Sequence, residues 1–412
     1  MAEHSTDNFS HQVPAWLNDQ FFEEILRKAE NDPTLQVVPG CELRPATQGD
    51  HYGSVMFRTA VRYQSKRATG GEQEIHLIVK TQSTAEGYKK EVSKGGSLFA
   101  KEIYMYTEVL PAVVKVLGDV GEDFEVARLI HASMEPNTVI ILEDLTPKGW
   151  LPSRVCIGSL EEAMTTIRNV ANLHAASLHL NQQKTMDLSA NSIKEILCEG
   201  IVLTQFSTRF EEFCDAVGKW DDCKVFTEKL RNLLKSVGEK YGEVYTPNPP
   251  SLGYNVLNHG DFNWKNILIK KNSDERIVDS ILIDYQCCHW GTPAIDVLYL
   301  LDVMVDNGTK RAHRNRILYE YHRQFSTVLG KLGYMGKIPT LVDLQMELLR
   351  KGFLEVMHVV VFEKFKFETL TDTTFDNFDQ GNPDDPCYQN QVFSSIIRSE
   401  LPALMYRGLL DQ

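Results

Sequence analysis

The chain has no CxxC pair, and no His stands at zinc-ligand spacing beside any of its eight cysteines, at 41, 156, 198, 214, 223, 287, 288 and 387. That scatter argues against a zinc module or a disulfide framework and reads as reduced, mostly buried thiols of a cytosolic protein. No run approaches the ~18 uninterrupted apolar residues of a membrane helix. Runs such as Val139 to Leu142 and Val359 to Phe362 have the length of buried core segments. Met1 to Pro14 lacks the basic start and apolar centre of a secretion signal, so export is not expected. Nothing repeats at a fixed period, and no low-complexity stretch is long enough for a disordered tail. Positive charge is in deficit: a net charge of −13 excludes an extended nucleic-acid or anionic-membrane surface, while leaving room for a local basic pocket that holds phosphate.

What is present is an ordinary globular composition, 42% hydrophobic and 24% charged, spread over 412 residues, more than one core usually supports. Leu17, Phe21, Ile25 and Ala29 recur four apart, predicting a packing helix from Pro14 to Ala29. Strand-like runs follow at Cys41 to Thr47, Ser54 to Tyr63, Glu74 to Thr81, Phe124 to His131 and Thr138 to Leu142, interrupted by one helix from about Gly96 to Leu110. Beyond residue 150 the pattern turns helical: Leu160 to His179, Asn191 to Ala216, Asp222 to Tyr241, Val297 to Asp306, Arg311 to Leu332 and Leu341 to Lys364, with a strand-rich island from Val256 to Tyr285. The expected architecture is α+β and bilobal. A small antiparallel lobe with one helix spans residues 35–145, preceded by a helical extension over 1–34, and a large, mostly helical lobe spans 146–412, with a ligand in the cleft between the lobes.

The island carries the chemistry. It reads His259-Gly260-Asp261-Phe262-Asn263-Trp264-Lys265-Asn266, then the apolar runs Ile267 to Ile269 and Ile281 to Ile283, then Asp284. If the runs pair as a hairpin with Leu268 opposite Leu282, Asn266 faces Asp284 at its open end. An amide oxygen and a carboxylate at one point suit Mg²⁺, which is usually shared between one or two protein groups and nucleotide phosphates. Asp261, five residues before Asn266, would stand beside the metal, placed to accept the proton of an attacking hydroxyl. Phosphoryl transfer needs little more than such positioning and charge.

This string, with Ile283-Asp284-Tyr285-Gln286 and Gly291-Thr292-Pro293-Ala294-Ile295-Asp296, resembles the insect ecdysteroid-kinase-like family, within the choline and aminoglycoside phosphotransferase branch of the protein-kinase-like superfamily. The likeness runs over most of the chain. It implies a protein-kinase-like fold, ATP and Mg²⁺ as cofactors, Asp261 as catalytic residue, and Asn266 and Asp284 as metal ligands. Upstream, Gly49-Asp50-His51-Tyr52-Gly53-Ser54 resembles the turn that covers the phosphates, through Gly49, Tyr52, Gly53 and Ser54. Lys80, ending Leu77-Ile78-Val79-Lys80, matches the lysine on the α- and β-phosphates, with Glu102 as its partner. Glu143, Asp144 and Leu145 match the hinge whose backbone meets adenine.

Taken singly these residues say less: Asp261 would be a turn residue, Lys80 an exposed strand end, and the glycine turn is not GxGxxG. His259 reads as a brace of the loop and His174 as an interior histidine without chemistry. Asp296 reads as a cap on the helix from Val297. Only eleven residues separate Asp284 from Asp296 and no Ala-Pro-Glu follows. The peptide platform that protein kinases build after the metal-binding Asp is therefore missing. The helical insert 191–245 and the helices after Val297 supply Phe206, Phe210, Phe213, Leu230, Phe353 and Met357, an apolar set suited to a lipophilic alcohol or simply to a core. The resemblance implies a small-molecule alcohol substrate, an ecdysteroid or similar metabolite. A cationic alcohol of the choline or aminoglycoside kind is the alternative, and a pseudokinase without turnover a third reading. Nucleic-acid or membrane partners are not expected; a monomer is compatible with the sequence, and oligomeric state stays open.

Overall fold

The computed structural model describes residues 13–46, 54–67, 71–82, 97–153, 156–370 and 382–411. The chain divides into two compact units, Met1–Pro111 with Glu125–Leu151, and Ala112–Phe124 with Pro152–Gln412. The first is sheet-rich and the second mainly helical, the α+β architecture expected from the pattern of elements.

In the first unit the sheet runs Gln36–Val37, Ser54–Gln64, Glu72–Gln82, Val139–Glu143, Leu129–Ser133, each neighbour antiparallel, with Arg44–Pro45 also on Ser54–Gln64. The two long strands pair over their whole length, from Ser54 opposite Gln82 to Gln64 opposite Glu72. Phe57, Val61, Leu77, Val79, Val139 and Ile141 turn inward onto Phe22, Ile25 and Leu26 of the first helix. That helix is Asp19–Ala29, later than the apolar spacing predicted, because the Asn18 side chain caps it by accepting Phe21 N–H at 3.1 Å. Its buried stripe is Phe22, Ile25 and Leu26, while Phe21 is only partly buried.

Other boundaries shift too. Of the strand expected over Cys41 to Thr47 only Arg44–Pro45 forms, Thr47 lying outside the described residues, and the strand expected from Phe124 begins at Leu129. The helix expected to Leu110 is Ser97–Tyr104, followed by a π-helical turn, Met105–Val109, and a further helix, Leu110–Gly118. Pro111 has no N–H for the carbonyl four residues back, and the wider turn just before it relieves that mismatch.

In the second unit, helices Leu160–Gln182 and Asn307–Lys331 pack together. The first is started by Ser159, whose side chain accepts Glu162 N–H, and the second by Asp306, which accepts from Gly308 and Thr309. Asp306 therefore opens a helix rather than ending one, so the helix expected from Arg311 starts four residues earlier. The segment expected as one helix from Leu341 to Lys364 breaks at Lys351 and Gly352 and carries a π turn at His358–Phe362. Asn191 to Ala216 resolves into Lys194–Leu197 and Gly200–Val217, and Asp222 to Tyr241 into Lys224–Leu234 and Val237–Val244. The island forms two ribbons, Ile267–Lys271 with Ile277–Leu282, and Val256–Asn258 with His289–Gly291.

Candidate active site

The ribbon Ile267–Lys271/Ile277–Leu282 sets the site, in a register one residue from that expected. Leu268 faces Ile281 and Ile267 faces Leu282. The tight turn puts Ile277 opposite Lys271, and a bulge at Val278 shifts the pairing by one from Asp279 onward. Asn266 therefore faces Ile283, whose N–H bonds the Asn266 carbonyl at 3.0 Å, and Asp284 is the first residue beyond the ladder. It leaves the strand in the left-handed region, φ 66 and ψ 63, which an Asp adopts at a cost and which turns the chain sharply. Gln286 Nε2 donates to its Oδ2 at 3.2 Å.

Asp261 is held by two amides. Asn266 Nδ2 donates to Asp261 Oδ2 at 2.7 Å and to its carbonyl at 2.9 Å, and Asn263 Nδ2 donates to Oδ1 at 2.7 Å. Both carboxylate oxygens thus have a fixed donor, and the Asn266 amide oxygen is left out of these bonds. Burial pushes the Asp261 carboxyl above the usual carboxylate range and the Asp284 charge adds to this, while His259 and the two amides oppose it. Asn263 was not among the expected site residues. Its signal was an Asn able to cap the short turn Trp264–Asn266, which it does by accepting Lys265 N–H at 2.9 Å.

Behind the loop, buried groups fix the backbone. Asp296 accepts His259 N–H at 2.6 Å and Gly260 N–H at 2.9 Å, and lies 3.1 Å from His174 Nε2, whose Nδ1 meets the Tyr321 hydroxyl at 2.8 Å. Burial alone would raise the Asp296 carboxyl, but hydrogen bonds from His174 and Gly260 and the charges of His174 and His259 bring it below its ordinary value. Asp296 thus sits inside the helix Ala294–Tyr299, not before it as a cap. His174, assigned no chemistry from sequence, is the group that orients Asp296. His259 joins the loop to the ribbon, with Nε2 on the Ile283 carbonyl at 2.9 Å and Nδ1 accepting Asp261 N–H at 3.4 Å. Gly260, at φ 80, has no room for a side chain, since a Cβ would strike the Cys287 carbonyl and stand 2.8 Å from His289 Nδ1.

In the first unit Lys80 Nζ and Glu102 Oε2 are 2.6 Å apart, and both residues are buried, 4% and 1% exposed. Lys80 also stands 5.8 Å over the Phe99 ring. Ser54 is buried opposite Gln82, whereas Gly49, Tyr52 and Gly53 lie outside the described residues. Glu143 ends its strand and pairs with Lys148 at 2.9 Å. The Asp144 carboxylate is engaged by Arg58 Nε at 2.5 Å and by Thr146 N–H at 2.9 Å. The N–H groups of Glu143 and Asp144 are committed to the Arg128 and His76 carbonyls, and Leu145 is buried.

The clamped loop carboxylate and the carboxylate at the ribbon mouth both lie within the residues that match a family model. The match to the ecdysteroid kinase-like family covers residues 48–334, more than half of the chain, and the protein belongs to that family. No curated protein matches. Among solved structures, a spectinomycin phosphotransferase in complex with ADP and spectinomycin is 12% identical over 93% of this chain and 98% of that one, with a TM-score of 0.37. The GDP complex of aminoglycoside 2'-phosphotransferase-IIIa is 10% identical over 94% and 99%, also at 0.37. Superpositions that loose carry no argument about activity. Among the described residues no helix is long and apolar enough to cross a membrane, and no group of three or more His, Cys, Asp or Glu could hold a metal alone.

Proposed function

We propose that this protein is an ATP- and Mg²⁺-dependent small-molecule kinase that moves the γ-phosphate of ATP onto a hydroxyl of an ecdysteroid or similar lipophilic alcohol. The observation that carries the reading is the double amide clamp on Asp261 beside Asp284. A carboxylate so fixed can orient one hydroxyl, accept its proton as the oxygen–phosphorus bond forms, and spare the loop any reorganisation during transfer.

The donor set fits a shared Mg²⁺. Asn266 offers an amide oxygen and Asp284 a carboxylate, which is too few to cage a metal but the usual number for one completed by phosphates and water. When bound there it would neutralise charge on the transferring phosphoryl group. Lys80, oriented by Glu102, is suited to the α- and β-phosphates. The turn Gly49 to Ser54 would cover the phosphates, and the hinge at Glu143 to Leu145 would meet adenine. As the bond to γ-phosphate breaks, ADP leaves and the proton rests on Asp261. Eight free cysteines fit a reducing, cytoplasmic setting. The net charge of −13 favours a cationic alcohol as second reading, through steering rather than through any contact in the site.

The purified protein, given Mg²⁺, ATP and a panel of ecdysteroids and choline-like alcohols, should yield a phosphate ester with the former. Normal nucleotide binding without transfer to any alcohol would leave a nucleotide-binding pseudokinase.

A further inference from the structure

Two π-helical turns of the second unit, Leu300–Met304 and His358–Phe362, are joined by one side-chain hydrogen bond, His358 Nδ1 to Asp302 Oδ2 at 2.9 Å. Such turns are rare and gather at functional positions. This one is heavily braced. Lys310 Nζ lies 3.4 Å from Asp302 Oδ1 and 2.8 Å from Glu400 Oε2, and Lys366 Nζ takes the carbonyls of Asp302 and Val305 at 3.0 and 2.9 Å. All of these side chains are buried. Buried ion pairs are an inefficient source of stability, so bracing on this scale calls for another reason.

The bracing fixes the orientation of the His358 ring. Burial opposes ionisation of Asp302, but the Lys310 charge and the hydrogen bond from His358 hold its carboxyl well below the ordinary range. An ionised carboxylate only accepts, so His358 Nδ1 carries the hydrogen, and in the neutral ring Nε2 is left as a bare acceptor. His358 is 2% exposed, and its Nε2 meets no hydrogen-bond partner among the described residues. An acceptor buried without a donor is costly unless something supplies one.

A row of rings connects that nitrogen to the catalytic loop. His358 stacks edge-on against Tyr299 at 4.6 Å, and the Tyr245 side chain stands beside that of Tyr299. Tyr245 shares a 3.2 Å contact with the Tyr241 hydroxyl and lies 5.3 Å from the His289 ring, and His289 abuts Gly260, next to Asp261. Burial raises the Tyr241 and Tyr299 hydroxyls and the Asp261 charge raises them further, so both feel the proposed base. Phe362, half-buried on the second π turn, has its ring 5.5 Å from His358 and 6.0 Å from Tyr299.

We propose that this row is the wall against which the acceptor lies, and that His358 Nε2 accepts a hydrogen bond from a second hydroxyl of it, distinct from the one phosphorylated. The inference rests on the kinase reading and names its acceptor class: an apolar ring alcohol with at least two hydroxyls. A quaternary ammonium alcohol could lie on the same rings. Its single hydroxyl belongs at Asp261, however, and nothing remains to donate to His358. Admitting the ligand requires the half-buried Phe362 side chain to turn aside.

The test is equilibrium binding, by calorimetry on the full-length protein, of a polyhydroxylated ecdysteroid and of analogues each lacking one hydroxyl. The wild type should bind one analogue about tenfold more weakly than the parent, the worth of one neutral hydrogen bond. His358→Asn keeps an N–H for Asp302 but has nothing at the Nε2 position, and should bind parent and that analogue equally. His358→Gln, whose amide reaches that position, should restore part of the preference. Retained preference in His358→Asn, equal weakening of every analogue, or no ecdysteroid binding by the wild type would each overturn the assignment. Binding with these signatures but no phosphate transfer from ATP would sustain the His358 assignment and refute the kinase reading instead.

Discussion

Replacing Lys80 by Met separates what the Lys80–Glu102 pair does for the fold from what Lys80 does for nucleotide. The partners are 2.6 Å apart with side chains 5% and 2% exposed, so removing the cation takes its charge partner from a Glu102 carboxylate that water cannot reach. Breaking a buried pair from one side costs about 3–5 kcal/mol, whereas replacing both partners by neutral groups of similar volume is often neutral. At tenfold per ~1.4 kcal/mol, Lys80→Met should raise the opening constant of the first unit by roughly two to four orders of magnitude. Native-state hydrogen exchange at amides of the strand Glu72–Gln82 reads this directly. Lys80→Met with Glu102→Gln should recover most of the protection, yet ADP binding should stay weak in both variants because the phosphate contact is gone. If Lys80→Met exchanged within a factor of ten of the wild type, the pair would not be the buried, mutually dependent contact argued for. If the double variant bound ADP normally, Lys80 would have no phosphate role.

Asp261→Asn should lower the transfer rate by about 10²–10⁴-fold, the usual worth of a positioned general base, with ADP affinity little changed in a titration. Gly260→Ala places a methyl group against the Cys287 carbonyl at a backbone angle, φ 80, that only Gly adopts freely. Strain of about 1–3 kcal/mol should lower the melting temperature and reduce turnover together. Glu320, bound by Arg323 at 2.7 Å and Arg168 at 2.5 Å, has its carboxyl pulled from 4.5 to about 2, chiefly by the Arg323 hydrogen bonds. A depressed carboxyl stabilises the fold above its unfolded value, so this contribution is complete above pH 4.5 and lost as pH falls towards 2. Glu320→Gln should flatten the acid arm of the stability curve between those limits, measured by thermal unfolding.

The parts of this protein that the sequence announces are those written in short-range periodicity. Runs rich in Val, Ile and aromatic residues made the long strands around Phe57, Val61, Leu77 and Val79 readable, and the spacing from Asp261 to Asn266 to Asp284 marked the loop. What it could not announce are departures from regular spacing. The bulge at Val278 shifts the ribbon's pairing, which the unbroken apolar runs Ile267 to Ile269 and Ile281 to Ile283 do not mark, and the three π turns lie inside segments whose composition reads as plain helix. Asn18 and Asp306 could be recognised as caps only once the neighbouring helices had ends.

Long-range polar contacts were hidden for a different reason. Asp296 looked like a helix cap because a carboxylate near a helix start usually is one, and nothing local reveals that His174, 122 positions earlier in the chain, stands 3.1 Å from it. The same holds for His358 and Asp302, 56 positions apart and joined at 2.9 Å. These two buried His–carboxylate contacts differ in one respect that bears on function. His174 has a partner on each nitrogen, Tyr321 and Asp296, and so is complete as a strut for the loop that carries Asp261. Among the described residues His358 is satisfied on one side only, with Asp302 already shared by Lys310. A strut needs no open valence. A residue that reads a ligand does, and that asymmetry singles out His358 where burial and residue type alone would have treated the two histidines alike.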